Sequence, residues 1–194
     1  MNELPKRKSN RLHGYDYNQN GAYFITICTK NMARTFGSIE NGQMLLNKFG
    51  NIVKQEIEYI SSIRKECVVH EFVVMPNHVH LIVEIINAQD WDDYNKTRDD
   101  CHLGRDDCHL GRDDCHLGRD DCHRPLRGNK SIPNMVKGLK GAVTRRIGLS
   151  PWQRNYHDHI IHSDDDYYRI AEYILGNPVK WQEDRYYSEE TALE

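Results

Sequence analysis

Apolar positions along the chain keep two different periods. From Val73 to Ile85 the sequence reads VVMPNHVHLIVEI: Val79, Leu81, Val83 and Ile85 share one parity, while His78, His80, Ile82 and Glu84 share the other. Alternation of that kind predicts a strand whose two histidines leave the same face. ECVVHEFVVM (66–75) reads as the strand before it, hinged by Pro76-Asn77, and AYFITICT (22–29) as a first strand. Asn41-Gly42 between two short runs signals a tight hairpin. WQRNYHDHIIH (152–162) reads as a further strand.

The period lengthens elsewhere. In residues 48–65, Phe49, Ile52, Val53, Ile57 and Ile60 recur at helical spacing. In residues 131–148, Met135, Val136, Leu139, Val143 and Ile147 form a stripe, with Ser131 at the N-cap position and Pro133 in the first turn. Residues 163–178 predict a last helix. Ser163 caps it, acids fill its first turn, and Pro178 ends it. The order is strand, hairpin, helix, strand, strand, helix, strand, helix, and it predicts an α+β fold, an antiparallel sheet with packed helices.

Composition narrows the setting. At 194 residues, 38% hydrophobic and 28% charged, the chain suits a single domain with a sizeable core. No apolar run approaches the roughly 20 residues of a membrane span, and the first residues lack a signal-peptide core, so the expected location is cytoplasmic. Six cysteines are then expected as thiols, with Cys28 and Cys67 packed as small apolar residues.

The net charge of −3 conceals an uneven distribution. From Arg98 to His123 a heptad, RDDCHLG, recurs with four Arg and eight Asp; removing that −4 from −3 leaves +1 on the rest. The repeat lacks the two apolar positions per heptad of a coiled coil, and its Cys-His pairs lack zinc-module spacing. An insertion without fixed structure is expected at about 87–129. After it, Cys122 to His157 holds eight Lys or Arg and no acid, an electrostatic footprint for a polyanion or a solvated basic face.

Two features could carry chemistry. His78 and His80 would stand roughly 7 Å apart at Cα on one strand face, a spacing that suits one metal ion or two half-buried histidines. On the last helix Tyr173 and Asn177 are neighbours on a polar stripe. The tyrosine could be a nucleophile, if a cation or base lies near its weakly acidic phenol, and the asparagine an oxygen ligand. They could equally be an edge tyrosine and a cap.

MPNHVHLIVE, taken with YILGNPVKW, resembles the HUH single-tyrosine transposases, in particular the REP-associated tyrosine transposases. RKSNRLHGYDYNQNGAYFITICT, GLKGAVTRRI and WQRNYHDHIIH look like segments of the same family, so the likeness runs through nearly the whole chain as a single HUH domain over 1–194. The resemblance implies a ferredoxin-like or RRM-like sheet with the histidine pair on a central strand. It implies metal-dependent nicking and rejoining of single-stranded, hairpin-forming repeat DNA through a 5′-phosphotyrosine. By match to the family motif, Tyr173 is the nucleophile, and His78, His80 and Asn177 hold Mg²⁺ or Mn²⁺. Lys6, Arg7, Lys8, Arg11, Lys137, Lys140, Arg145 and Arg146 are candidates for DNA phosphates, and Tyr15 and Tyr17 for stacking on unpaired bases. No membrane partner is expected; some relatives form homodimers that exchange tyrosine helices, while others act as monomers. The heptad insertion departs from the family pattern. Rival readings are a replication-initiator or relaxase-type nuclease, with Gly176 where initiators often carry Lys, a non-catalytic nucleic-acid-binding protein, and a structural metal protein built on the Cys-His repeats.

Overall fold

A computed structural model describes residues 15–86 and 131–187. The expected insertion at 87–129 lies outside the described residues. The strands are β1 (Gly21–Cys28), β2 (Gly37–Glu40), β3 (Gln43–Leu46), β4 (Cys67–Val74), β5 (His78–Ile85) and β6 (His157–Ile161). The helices are α1 (Lys48–Glu58), α2 (Ile60–Ile63), α3 (Ile132–Ile147) and α4 (Asp164–Gly176), with short 3-10 turns at Lys30–Met32 and Trp181–Glu183. Strands β4, β5, β1 and β6 form an antiparallel sheet in that order, and β2–β3 is a separate hairpin. The fold is α+β, as the alternation of periods predicts.

The register of β1 on β5 sets the two faces. Opposed residues in an antiparallel pair share a face, so Ile25 and Ile27 join Leu81 and Val79, while Thr26 opposes His80 and Cys28 opposes His78. The first face packs against α1 and α3: Val53 and Ile57 from α1 and Met135, Leu139 and Val143 from α3 bury there with Val79, Leu81 and Val83. The second face is covered by α4, whose Ile170, Ala171 and Ile174 pack on Ile82.

Local rules account for most boundaries. Asn41 and Gly42 both take positive φ (51° and 75°), the conformation a two-residue hairpin turn needs. Ser163 accepts the Asp166 N–H as N-cap of α4, and three aspartates complement the first-turn dipole. Cys28 and Cys67 are free, buried thiols, pushed up to about 11 and about 12 by desolvation.

Three expectations need revision. The helix expected over 48–65 breaks at Tyr59 into α1 and α2. Ser131 occupies the N-cap position of α3, but its side chain caps nothing. The strand expected over 152–162 is regular only at His157–Ile161, with Trp152 in an isolated bridge to Thr29. The carbonyls of Gln153 and Asn155 point instead at the Lys140 ammonium, at 2.8 and 3.0 Å.

Candidate functional site

The Pro76-Asn77 interruption of the apolar run forms the turn that delivers β5 into the sheet, closed by Met75 N–H to the His78 carbonyl at 2.8 Å. Asn77 is fully buried and its side chain is hydrogen-bonded. Its Oδ1 faces His78 Nδ1 at 2.8 Å, and its amide donates to the carbonyls of Tyr186 (2.8 Å) and Met32 (3.3 Å). An amide oxygen accepts only, so His78 carries its hydrogen on Nδ1 and presents a lone pair at Nε2. That Nε2 is buried and has no hydrogen-bond partner.

One register step along, His80 Nδ1 meets the Thr26 hydroxyl at 2.8 Å, leaving Nε2 toward the same space. The two rings lie 4.4 Å apart between centroids. Burial lowers the pKa of His78 to about 4, against the pull of Asp184. Burial, the neighbouring His78 and Arg185 hold His80 well below its ordinary value. Both imidazoles are therefore neutral at pH 7, the protonation state of a metal ligand.

Helix α4 crosses this face and brings Tyr173 over the pair. The phenol Oη lies 3.2 Å from His80 Nε2 and donates to Asp184 Oδ2 at 2.7 Å. Burial and the Asp184 carboxylate push the phenol pKa up, offset only in part by Asn177. Tyr173 is 38% exposed and borders open cleft space.

Asp184, which the sequence did not single out, follows the 3-10 turn after α4 and is 8% exposed. Its Oδ1 accepts the Tyr186 N–H at 2.6 Å, and its Oδ2 accepts from Asn177 Nδ2 at 2.5 Å as well as from Tyr173. His78, His80 and Asp184 each bring a ligand atom to within 4.8 Å of the others. Two neutral nitrogens, one carboxylate oxygen and an orphaned Nε2 suit a divalent ion. Asn177, expected among the ligands, stands beside Asp184 with its own Oδ1 buried and unpartnered. The clue to Asp184 was chemical: two imidazoles and an amide bring no charge to a dication, and the next acids in the chain are Glu183 and Asp184.

Tyr173 sits between two clefts. One, of about 420 Å³, is lined by Phe24, His159, Arg169, Arg185 and Tyr186; the other, of about 290 Å³, by Glu172, Gly176, Asn177 and Lys180. Arg169 and Arg185 were not among the expected phosphate contacts. Those that were expected are dispersed. Lys6, Arg7, Lys8 and Arg11 lie outside the described residues. Lys137, Lys140, Arg145 and Arg146 ride on α3, across the sheet from the histidines. Desolvation lowers Lys140 to about 8, and its ammonium is engaged by backbone carbonyls. Arg146 bonds Glu56 and Gln55 on α1, while Lys137 and Arg145 are exposed. Tyr17 is buried against Tyr15 and Tyr23 in the core of that far face, and Tyr15 is partly buried with it.

No protein-family model matches the chain. An uncharacterized protein of Haemophilus influenzae is 37% identical over 187 residues, covering 93% of each chain. Among solved structures, a REP-associated tyrosine transposase bound to a REP hairpin superposes with a TM-score of 0.54 at 18% identity, over 88% of this chain and 74% of that one.

Proposed function

We propose, for a chain that belongs to one family with the Haemophilus influenzae protein and has the fold of a REP-associated tyrosine transposase, that it nicks and rejoins single-stranded, hairpin-forming DNA. The observation that carries this reading is the phenol of Tyr173, 3.2 Å from an imidazole of a neutral, buried histidine pair and 2.7 Å from a buried carboxylate, at the border of two open clefts. A nucleophile, a divalent-ion site and room for a strand on either side are the parts that phosphoryl transfer without hydrolysis requires.

His78, His80 and Asp184 would hold Mg²⁺ or Mn²⁺, with Asn177 beside them. When bound, the ion stabilises charge on the scissile phosphate oxygens. Arg169 and Arg185 border the larger cleft and are suited to the flanking phosphates. Phe24 and Tyr186 add aromatic rings to the lining of that cleft. Tyr173 Oη attacks phosphorus; the Oη–P bond forms and the bond to the 3′ oxygen breaks. The phenol gives up its proton and the departing oxygen gains one, through solvent in the cleft. A 5′-phosphotyrosine and a free 3′-OH result. The phosphotyrosine keeps the energy of the phosphodiester, so a second 3′-OH can reverse the step and join new ends.

A non-catalytic RRM-like reading would want the sheet face open for stacking. Here α4 packs across it through Ile170 and Ile174. The deciding experiment supplies Mn²⁺ and single-stranded DNA from the flanks of the gene. Wild type yields a protein–DNA adduct that survives SDS, and Tyr173→Phe yields none. An adduct retained by Tyr173→Phe moves the nucleophile elsewhere; its absence in wild type removes the reading.

A further inference from the structure

Asp184 has more than one use for its carboxylate. Oδ1 is fixed by the Tyr186 N–H at 2.6 Å, while Oδ2 accepts from both the Tyr173 phenol and the Asn177 amide. It also supplies the one formal negative charge among the three clustered donors, the other two being neutral imidazoles. A hard dication draws strongly on such an oxygen.

The phenol has a single hydrogen. At 2.7 Å that hydrogen belongs to Asp184 Oδ2, so the 3.2 Å contact with His80 is satisfied only if Nε2 carries a hydrogen of its own. Thr26 can accommodate either tautomer, because its hydroxyl both donates and accepts at Nδ1. A metal ligand, however, must present a bare Nε2. The form of His80 that meets the phenol is thus not the form that meets an ion. Both of these hydrogen bonds of the nucleophile are made to groups that a bound ion would claim.

We infer that Asp184 is the third ligand and that it trades partners: ion and phenol compete for Asp184 and His80, so that loading the site unlatches Tyr173. This rests on the reading of Tyr173 as nucleophile, and it makes Asn177 a positioning residue that steadies Asp184 Oδ2. Without an ion the phenol is held by Asp184 and His80, with Asn177 beside it; with one, the first two holds are released. Competition for shared partners is reciprocal, so removing the phenol must tighten ion binding.

The test needs no DNA. Mn²⁺ is titrated into the full chain and free ion is followed by its electron paramagnetic resonance. Asp184→Asn should weaken binding by at least about tenfold, and Asn177→Ala by less. Tyr173→Phe should tighten it by about tenfold or more, the range for losing a competing hydrogen bond to a charged group. That gain should shrink in the Asp184→Asn background, where only the His80 contact is left to compete. Unchanged or weaker binding by Tyr173→Phe overturns the exchange, and so does a larger loss from Asn177→Ala than from Asp184→Asn. Should Asp184→Asn unfold by circular dichroism, the comparison of Tyr173→Phe with wild type still decides. Ion binding is read apart from nicking, so a failure of the transposase reading leaves a different signature.

Discussion

The two faces of β5 come from alternate residues of one strand and could hardly differ more. Toward α1 and α3 stand Val79, Leu81, Val83 and Ile85, all fully buried in a cluster dominated by aliphatic and aromatic side chains. Toward α4 stand His78 and His80, equally buried, but tied by hydrogen bonds to Asn77, Thr26 and Tyr173, with only Ile82 in a small apolar cluster. A large uniform core on one side lets the other side hold costly polar groups in fixed positions.

The sharpest way to break that contrast is to cut neighbouring residues. Leu81→Ala should lose about 2–5 kcal/mol of stability, seen as a lower urea midpoint, with catalysis intact in whatever remains folded. His80→Ala should abolish adduct formation and change stability far less. If the two substitutions have the same effect, the faces do not divide the labour.

Metal comes next in size. Saturating Mn²⁺, at about a hundred times its Kd, should stabilise the wild type by about 2.7 kcal/mol, reversibly with EDTA. The His78→Ala, His80→Ala double variant should show no shift in melting temperature. An equal shift in both would put the ion elsewhere.

Acid should act on the histidine face in the ion-free protein. The folded-state pKa of His78 is depressed to about 4 from an ordinary 6.5, and His80 moves the same way. The unfolded chain therefore takes up protons that the folded chain refuses as pH falls from about 6.5 toward 4, and stability is lost through that window. Urea midpoints at pH 7 and pH 4.5 should differ less in a variant with both histidines changed to Gln. An equal loss in wild type and variant would assign the acid sensitivity to other groups.

The smallest effect is expected from the repeats, which lie outside the described residues. Replacing Arg98 to His123 by a short Gly-Ser linker should leave the melting temperature within a few degrees, because the segment has too few apolar residues to contribute to either face. A large drop would mean that the repeats contribute to one of the two faces.

What could be read in the sequence was whatever repeats with a period or sits beside a cap. The parity of β5 put both histidines on one face, and Ser163 with its three aspartates marked the start of α4. The basic block was legible as charge but not as position. Its residues share α3 with an apolar stripe, and nothing in that stripe says which sheet face it will choose. Lys140 then turned out to organise the 153–155 carbonyls, which is also why the expected strand starts late. Asn77 looked like a turn residue, and its amide hydrogen bonds arise only when Tyr186 and Met32 fold beside it. Asp184 has no periodic relation to Tyr173; a 3-10 turn at Trp181–Glu183 brings it, rather than Glu183, into the cluster.

The side chain of Asn77 reaches across 109 residues of sequence to the carbonyl of Tyr186, and the phenol of Tyr173 lies 93 residues beyond the histidine it touches. On a ribosome adding roughly 5–20 residues each second, those separations are intervals of about 5–20 seconds. For all of that time the nascent chain has its imidazoles without Tyr173, and then a phenol whose carboxylate partner, 11 residues further on, has yet to be made. If the proposed function holds, no chain could cut before Asp184 has been added, and one abandoned midway through synthesis would be born harmless to DNA.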